Sequence, residues 1–180
     1  MGAIEVLVTF TPAWVDQHPR WRVLDWERQV TVSAEQRLSE LGIELPAPVP
    51  PAANYVRHQL TGNLLFISGT GPGDSAPKGK VDTEVSVGDA YQAARSVGLQ
   101  ILATAQQALG SLDRIVGTVK VLGMVNSAPA FEAHPAVING CSDLLVEVLG
   151  EAGRHTRSAV GFVSLPNSIC VEIEATFEVE

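Results

Sequence analysis

The sequence predicts an α+β domain, in which two helices pack on one face of a mixed sheet. Residues 171–179 alternate apolar and polar side chains, which is typical of a strand that buries one face. Residues 87–110 carry alanines and other apolar residues three or four positions apart, as an amphipathic helix does. With the remaining segments they give the order β-β-α-β-α-β-β, which favours helices layered on a sheet.

Residues 1–32 differ in composition from the rest of the chain, since they hold all three tryptophans: Trp14, Trp21 and Trp26. We interpret them as an appendage to a domain that spans residues 33–180. Two interpretations stay open for it. It is either an N-terminal arm that packs on the body or on a neighbouring subunit, or a stretch that precedes the natural start of the domain.

Residues 33–51 predict a short helix and an extended lead-in. Ser33 can cap the helix, Gln36 stands at the capping-box position, and Gly42 stands where a left-handed residue ends a helix. Four prolines lie among the last six residues of this segment, and they favour an extended chain with few backbone donors.

A β-hairpin is expected next, with strands over residues 55–60 and 64–69 and a turn at Thr61-Gly62-Asn63. A glycine-rich loop follows, with a short extended piece near Val81. The long helix then runs to Gly110, which is suited to a left-handed C-cap.

The second half of the chain predicts a strand, a helix and two further strands. Residues 114–125 are rich in valine, which favours a buried strand, and a helix is expected from about 135 to 150. The last two strands begin after Arg157 and after Asn167. The final strand carries one polar row, formed by Glu172, Glu174, Glu178 and Glu180.

Composition excludes several classes of partner and location. The net charge is -8 and no run of Lys or Arg forms a basic stripe, so nucleic acid is a poor partner. No apolar run approaches the ~20 residues of a membrane span, and Glu5 stands where a secretion signal would carry positive charge. The two cysteines lack disulfide or zinc-ligand spacing, and a cytoplasmic location is expected.

The glycine-rich loop does not match a nucleotide site. Gly79-Lys80 is followed by Val81, whereas a phosphate-binding loop needs Ser or Thr there, and the evenly spaced glycines before it miss the dinucleotide fingerprint. A mobile loop beside a pocket is the better interpretation. The histidines lack metal or triad spacing and are expected to be exposed or locally bonded.

Arg157, at the head of a predicted strand, is the strongest candidate for binding. A guanidinium can donate two parallel hydrogen bonds to a carboxylate, which is a common way to orient small organic acids. A structural ion pair or a solvated strand end is the alternative, and residue type alone would favour it.

Several stretches, in order, resemble the RidA/YjgF family. They are Tyr55 in ANYV, the hairpin TGNLLFISG, the alanine-rich helix closed by Gly110, VGTVKVLGMVN, VINGCSDL, and TRSAV followed by LP and VEIEA. The resemblance covers residues 33–180, and the Arg-Ser pair with LP and VEIEA is its most specific part.

The resemblance implies a chorismate-mutase-like α+β subunit that assembles as a homotrimer, with sites in the clefts between subunits. It implies hydrolysis of reactive enamines and imines to 2-keto acids and ammonia. Arg157 would bind the substrate carboxylate and Glu172 would position or activate water, the two meeting one small acid from adjacent strands. The expected substrate-binding residues are Tyr55, Ser68, Gly69, Asn139, Ser158 and Ala159. No cofactor, metal, nucleic acid or membrane partner is expected.

Departures from the family pattern keep a second function open. Ala159 stands where the most similar RidA enzymes often have Cys, and Thr156 stands in place of the usual Pro. The alternative is a non-catalytic trimer that senses or sequesters a small carboxylate. Ribonuclease activity, reported for relatives, is disfavoured by the net negative charge.

Overall fold

A computed structural model describes residues 33–51 and 53–180, so the predicted appendage lies outside the described residues. The described residues form five strands and three α-helices. They are α1 (Ala34–Glu40), β1 (His58–Thr61), β2 (Leu64–Thr70), α2 (Val87–Leu109), β3 (Ile115–Asn126), α3 (His134–Leu149), β4 (Thr156–Phe162) and β5 (Val171–Val179). The predicted order is confirmed, and α1 is the short helix predicted in front of it.

The strands form one mixed sheet in the order β1-β2-β5-β3-β4. β3 and β4 are parallel, and the other neighbouring pairs are antiparallel. The last strand of the chain is therefore the central one. β5 alternates as its sequence predicts, because Val171, Ile173 and Phe177 are buried while Glu174 and Glu178 are exposed.

α2 and α3 pack side by side on one face of the sheet, as the α+β prediction requires. Ser86 caps α2 by accepting a hydrogen bond of 3.0 Å from the Asp89 N–H, and Gly110 ends the helix with a φ of 82°. The two helices approach closely at Gly140, where a side chain would overlap the Tyr91 carbonyl. This close contact with α2 fixes the position of α3, and so the position of the side chains that α3 directs toward the sheet.

The other face of the sheet carries no helix among the described elements, and it exposes large apolar side chains. Phe66, Val160 and Phe162 are 44%, 40% and 41% exposed. They lie on β2 and β4, at positions whose neighbours in the strand point to the helices. Across the described ranges, no helix is long and apolar enough to cross a membrane.

Candidate functional site

Arg157 is held against α3 by two hydrogen bonds. Its Nη1 donates to Asn139 Oδ1 at 2.8 Å and to Ser142 Oγ at 3.0 Å. Arg157 pairs with buried Val121 of β3, so its side chain lies on the helix-covered face of the sheet. Its Nε and Nη2 donate to no described residue and make a free edge. This edge has the fork geometry that binds a carboxylate.

A chain of hydrogen bonds fixes the guanidinium to the backbone. His155 Nδ1 lies 2.6 Å from the Gly153 carbonyl oxygen, and His155 Nε2 lies 2.9 Å from Ser142 Oγ. A carbonyl only accepts, so Nδ1 carries the proton and Nε2 accepts the Ser142 hydroxyl. Ser142 Oγ in turn accepts from Arg157. The donor and the acceptor of each hydrogen bond in this series are therefore determined.

His155 is suited to this arrangement as a neutral imidazole. Burial lowers its pKa below the ordinary value; the hydrogen bond to the Gly153 carbonyl opposes this, and the Arg157 charge adds to the lowering. The imidazole thus keeps a free acceptor for Ser142 at neutral pH. The expectation that this histidine is locally bonded is confirmed.

The two residues that follow the arginine point in different directions. Ser158 lies on the helix-free face, where Lys120 Nζ donates to its Oγ at 3.2 Å. Ala159 shares the face of Arg157 and packs, half-buried, against the core. Asn139 and Ala159 are therefore grouped with Arg157, and Ser158 is not.

Glu172 lies in a cleft of about 520 Å³ with Tyr55 and Gly69. A side chain at position 69 would overlap Glu172 Oε1, so the glycine makes room for the carboxylate. Burial raises the pKa of the Glu172 carboxyl above its ordinary value, and the nearby Glu174 charge raises it further, whereas Arg57 lowers it. A half-buried carboxyl of this kind is suited to exchanging a proton with water.

Ser68 contributes to the cleft through the backbone around it. Its Oγ donates to the Val56 carbonyl at 2.7 Å and its N–H to the Arg57 carbonyl at 3.0 Å. These bonds hold the segment before β1 beside β2, which brings Tyr55 and Arg57 to the cleft. Ser68 itself lines a neighbouring cavity of about 310 Å³ on the other side of Gly69.

The predicted residues thus form two separate groups in one chain. β3 lies between the strands that carry Arg157 and Glu172, so the expectation of adjacent strands is wrong. Arg157 points to the helix side, and Glu172, paired with Met124, points to the helix-free side. One small molecule cannot contact both side chains of a single chain.

Sequence reasoning missed four polar residues at these two places. Ser142 and His155 hold Arg157, and Arg57 and Gln100 line the cleft of Glu172. His155 could have been found, because it stands two residues before Arg157 and extended residues two apart share a face. Gln100 could not, since it reaches the cleft from α2.

The glycine-rich loop lies beside the cleft, as its composition suggests, with Gly71, Gly73 and Lys78 among the lining residues. Within the described ranges, no group of three or more His, Cys, Asp or Glu side chains is arranged to hold a metal ion.

The sequence has relatives of known family. A sequence model described as "YjgF/chorismate mutase-like, putative endoribonuclease" matches residues 35–175. Protein TCP17 of Trypanosoma cruzi is 41% identical over an alignment of 145 residues, which covers 78% of this chain and 91% of TCP17. The match therefore spans the described domain.

The fold has counterparts among solved structures. Atu1372 of Agrobacterium tumefaciens, whose function is described as unknown, is 44% identical, with a TM-score of 0.75 over 82% of this chain and 92% of that one. A protein of Shewanella oneidensis, named a "putative endoribonuclease", is 31% identical, with a TM-score of 0.78 over 82% and 99%. The similarity is therefore of sequence and fold together.

Proposed function

Because this chain belongs to the RidA/YjgF family, we propose that it is a deaminase that hydrolyses reactive 2-imino acids to 2-keto acids and ammonia. The observation that carries the proposal is the pair of groups described above. One holds a fixed arginine with a free donor edge, and the other holds a half-buried carboxyl beside a cleft. Imine hydrolysis needs these two functions, an anchor for the acid and a group that handles the proton of water.

In this mechanism the Nε and Nη2 edge of Arg157 binds the substrate carboxylate and fixes the imine carbon in place. Glu172, as the carboxylate, takes a proton from water while the water oxygen bonds to that carbon. The protonated Glu172 carboxyl returns this proton to the nitrogen, which gives a tetrahedral intermediate with a hydroxyl and an amino group. Glu172 then takes the hydroxyl proton and delivers it to the amino nitrogen, so that the carbonyl forms as the carbon–nitrogen bond breaks and ammonia leaves the 2-keto acid. An enamine enters the same path after it gains a proton at its terminal carbon and loses one from nitrogen, which gives the imine.

The two groups can act on one molecule only if they come from different chains. Arg157 and Glu172 face opposite sides of the sheet, so the proposal requires a site between subunits of a homotrimer. The exposed apolar side chains of the helix-free face, Phe66, Val160 and Phe162, support such an assembly. Each interface would join the arginine of one copy to the cleft of the next.

Ribonuclease activity, which the descriptions of relatives mention, is not supported for this chain. Its net charge is -8, with 12 Lys and Arg against 20 Asp and Glu. Proteins that track RNA gather positive charge along the phosphate backbone. The acidic balance and the free edge of Arg157 favour a single small acid instead.

The test is a coupled assay in which a dehydratase converts threonine to 2-iminobutanoate and the release of 2-oxobutanoate is followed. Added protein should accelerate the release above the spontaneous rate, and Arg157→Ala should abolish the acceleration. Lack of acceleration by the unmodified protein would reject the deaminase. Tight binding of 2-oxobutanoate without acceleration would favour the non-catalytic carboxylate-binding alternative.

A further inference from the structure

The cleft around Glu172 holds more polar groups than the proposed hydrolysis uses. Its volume of about 520 Å³ falls within the roughly 300–1,000 Å³ of pockets that enclose drug-sized ligands. A 2-imino acid with a short apolar side chain would leave much of this space empty. The unused part is bordered by Arg57 from the segment before β1 and by Gln100 from α2.

Arg57 has donors that find no partner among the described residues. Its side chain makes one long hydrogen bond, from Nη1 to Tyr55 Oη at 3.4 Å. Its Nε is buried and bonds to nothing in the described part of the chain, and no described carboxylate lies within ion-pair distance of it. A half-buried guanidinium left this way is costly unless a ligand completes its hydrogen bonds.

Gln100 is the second polar group that has no hydrogen-bond partner in the part of the chain that the structure describes. Its Oε1 is buried and accepts no hydrogen bond from those residues, and its amide nitrogen donates to none of them. The two ends of an amide exchange by a half-turn, so the group can present either a donor or an acceptor to the cleft. The segment before β1 and helix α2, which are distant in sequence, therefore each contribute to the cleft a polar side chain whose hydrogen bonds are incomplete.

We propose that Arg57 and Gln100 form a side-chain subsite that selects substrates with a second carboxylate, so that the preferred substrates are dicarboxylic 2-imino acids of four or five carbons. The inference rests on the proposed function for the place of the first carboxylate, which Arg157 binds. The two arginines then match the two negative charges of the substrate. Gln100 donates its amide N–H to the second carboxylate beside the Arg57 fork.

Lys78 also lines the cleft, so its effect on binding of a second carboxylate must be separated from that of Arg57. Its side chain is exposed and makes no hydrogen bond among the described residues, so it adds charge to the rim without a fixed position. It serves as a matched control. Lys78→Gln removes the same charge as Arg57→Gln from the same cleft.

The test compares binding of 2-oxoglutarate and 2-oxopentanoate to the full-length protein by titration calorimetry. Both ligands are five-carbon 2-keto acids, and they differ in a terminal carboxylate against a terminal methyl. We expect 2-oxoglutarate to bind at least about tenfold more tightly, the effect of one charge-assisted contact. Arg57→Gln should remove the difference by weakening 2-oxoglutarate alone, and Lys78→Gln should keep it.

A second variant protects the test against misfolding of the first. Gln100→Leu removes the amide without changing charge, and it should reduce the preference while the thermal midpoint is retained. Equal affinity for the two keto acids in the unmodified protein would overturn the subsite. Equal weakening of both by Arg57→Gln would overturn it as well, since the arginine would then act on the shared 2-keto acid group.

A kinetic comparison separates this inference from the proposed function. Amino-acid oxidases generate the imines of glutamate and norvaline, and the acceleration of keto-acid release is measured for each. Acceleration of both without a preference rejects the subsite and keeps the deaminase. Binding of 2-oxoglutarate that depends on Arg57, with no acceleration of either imine, keeps the subsite and rejects the deaminase.

Discussion

Arg157 and Glu172 lie on opposite faces of one sheet, with β3 between the strands that carry them. The strand order puts β3 between them, and the pairing of Arg157 with Val121 and of Glu172 with Met124 sets their opposite faces. Different parts of the fold position the two side chains. Helix α3 binds the Arg157 guanidinium through Asn139, and Gly69 leaves room for the Glu172 carboxyl. The division makes the roles of the two groups separately testable.

Replacing Arg157 should affect substrate capture most strongly. Arg157→Lys keeps the charge but loses the fork, so we expect kcat/KM for 2-iminobutanoate to fall by about 100-fold. Arg154→Ala is the control, because that side chain is 70% exposed and pairs only with Glu151. An unchanged kcat/KM in Arg157→Lys would show that a point charge suffices.

Ser142 should act by positioning the arginine. Ser142→Ala removes one of two anchors on Nη1, so KM should rise about threefold to tenfold, matching a net hydrogen bond of roughly 0.5–1.5 kcal/mol. The value of kcat should change little, since Asn139 still holds the guanidinium. Ser39→Ala, in the exposed part of α1, should leave both constants unchanged. A fall in kcat alone would contradict a positioning role.

His155 should make stability depend on pH in a defined direction. Its pKa in the folded chain is lowered from the ordinary 6.5, so the unfolded chain binds a proton first as the pH falls. The free energy of unfolding should therefore decrease as the pH drops from about 6.5 through the lowered pKa and then level off. His155→Asn, which can still donate to the Gly153 carbonyl, should show a shallower decrease in the melting temperature. Equal slopes would disprove the contribution.

Glu172 should set the acidic limb of the rate profile. The carboxylate is the active form and its pKa is raised, so kcat/KM should fall with decreasing pH at values above the ordinary 4.5. Arg57 lowers this pKa and Glu174 raises it. Arg57→Gln should thus move the limb to higher pH, and Glu174→Gln to lower pH. Shifts in the same direction would contradict the assignment of the limb to Glu172.

Gly69 should be required for the position of the Glu172 carboxyl. In Gly69→Ala the new methyl group would overlap Oε1, so we expect at least about a tenfold loss of kcat, the cost of misplacing a reacting group. Gly88→Ala is the matched control, because the nearest atom to its new methyl group is Ser86 Oγ at 3.8 Å. Full activity in Gly69→Ala would show that Glu172 can move without consequence.

The sequence predicts those parts of the fold that depend on local signals. Ser33 and Gly110 cap helices where expected, and the alternation of β5 gives its buried face. β1 begins at His58 rather than Tyr55, since the chain before it bends. Boundaries of this kind are fixed by tertiary contacts rather than by local pattern.

The arrangement of the candidate site depends on pairings that are distant in sequence. Placing β5 between β2 and β3 separates Arg157 from Glu172, and no local periodicity encodes that order. Gln100 lines the cleft from α2, and no local pattern in the sequence indicates this placement. Arg157 and Glu172 could be predicted from the sequence, whereas their division into two groups follows from the strand order and the pairing registers.

Subunit complementation tests the shared site most directly. Arg157→Ala and Glu172→Gln, each inactive alone, are co-expressed with different tags, and the mixed trimers are purified and assayed with 2-iminobutanoate. Each mixed trimer has one interface in three that joins an intact arginine to an intact glutamate, so about a third of the wild-type activity should return. Mixed trimers as inactive as the single variants would contradict a site shared between subunits.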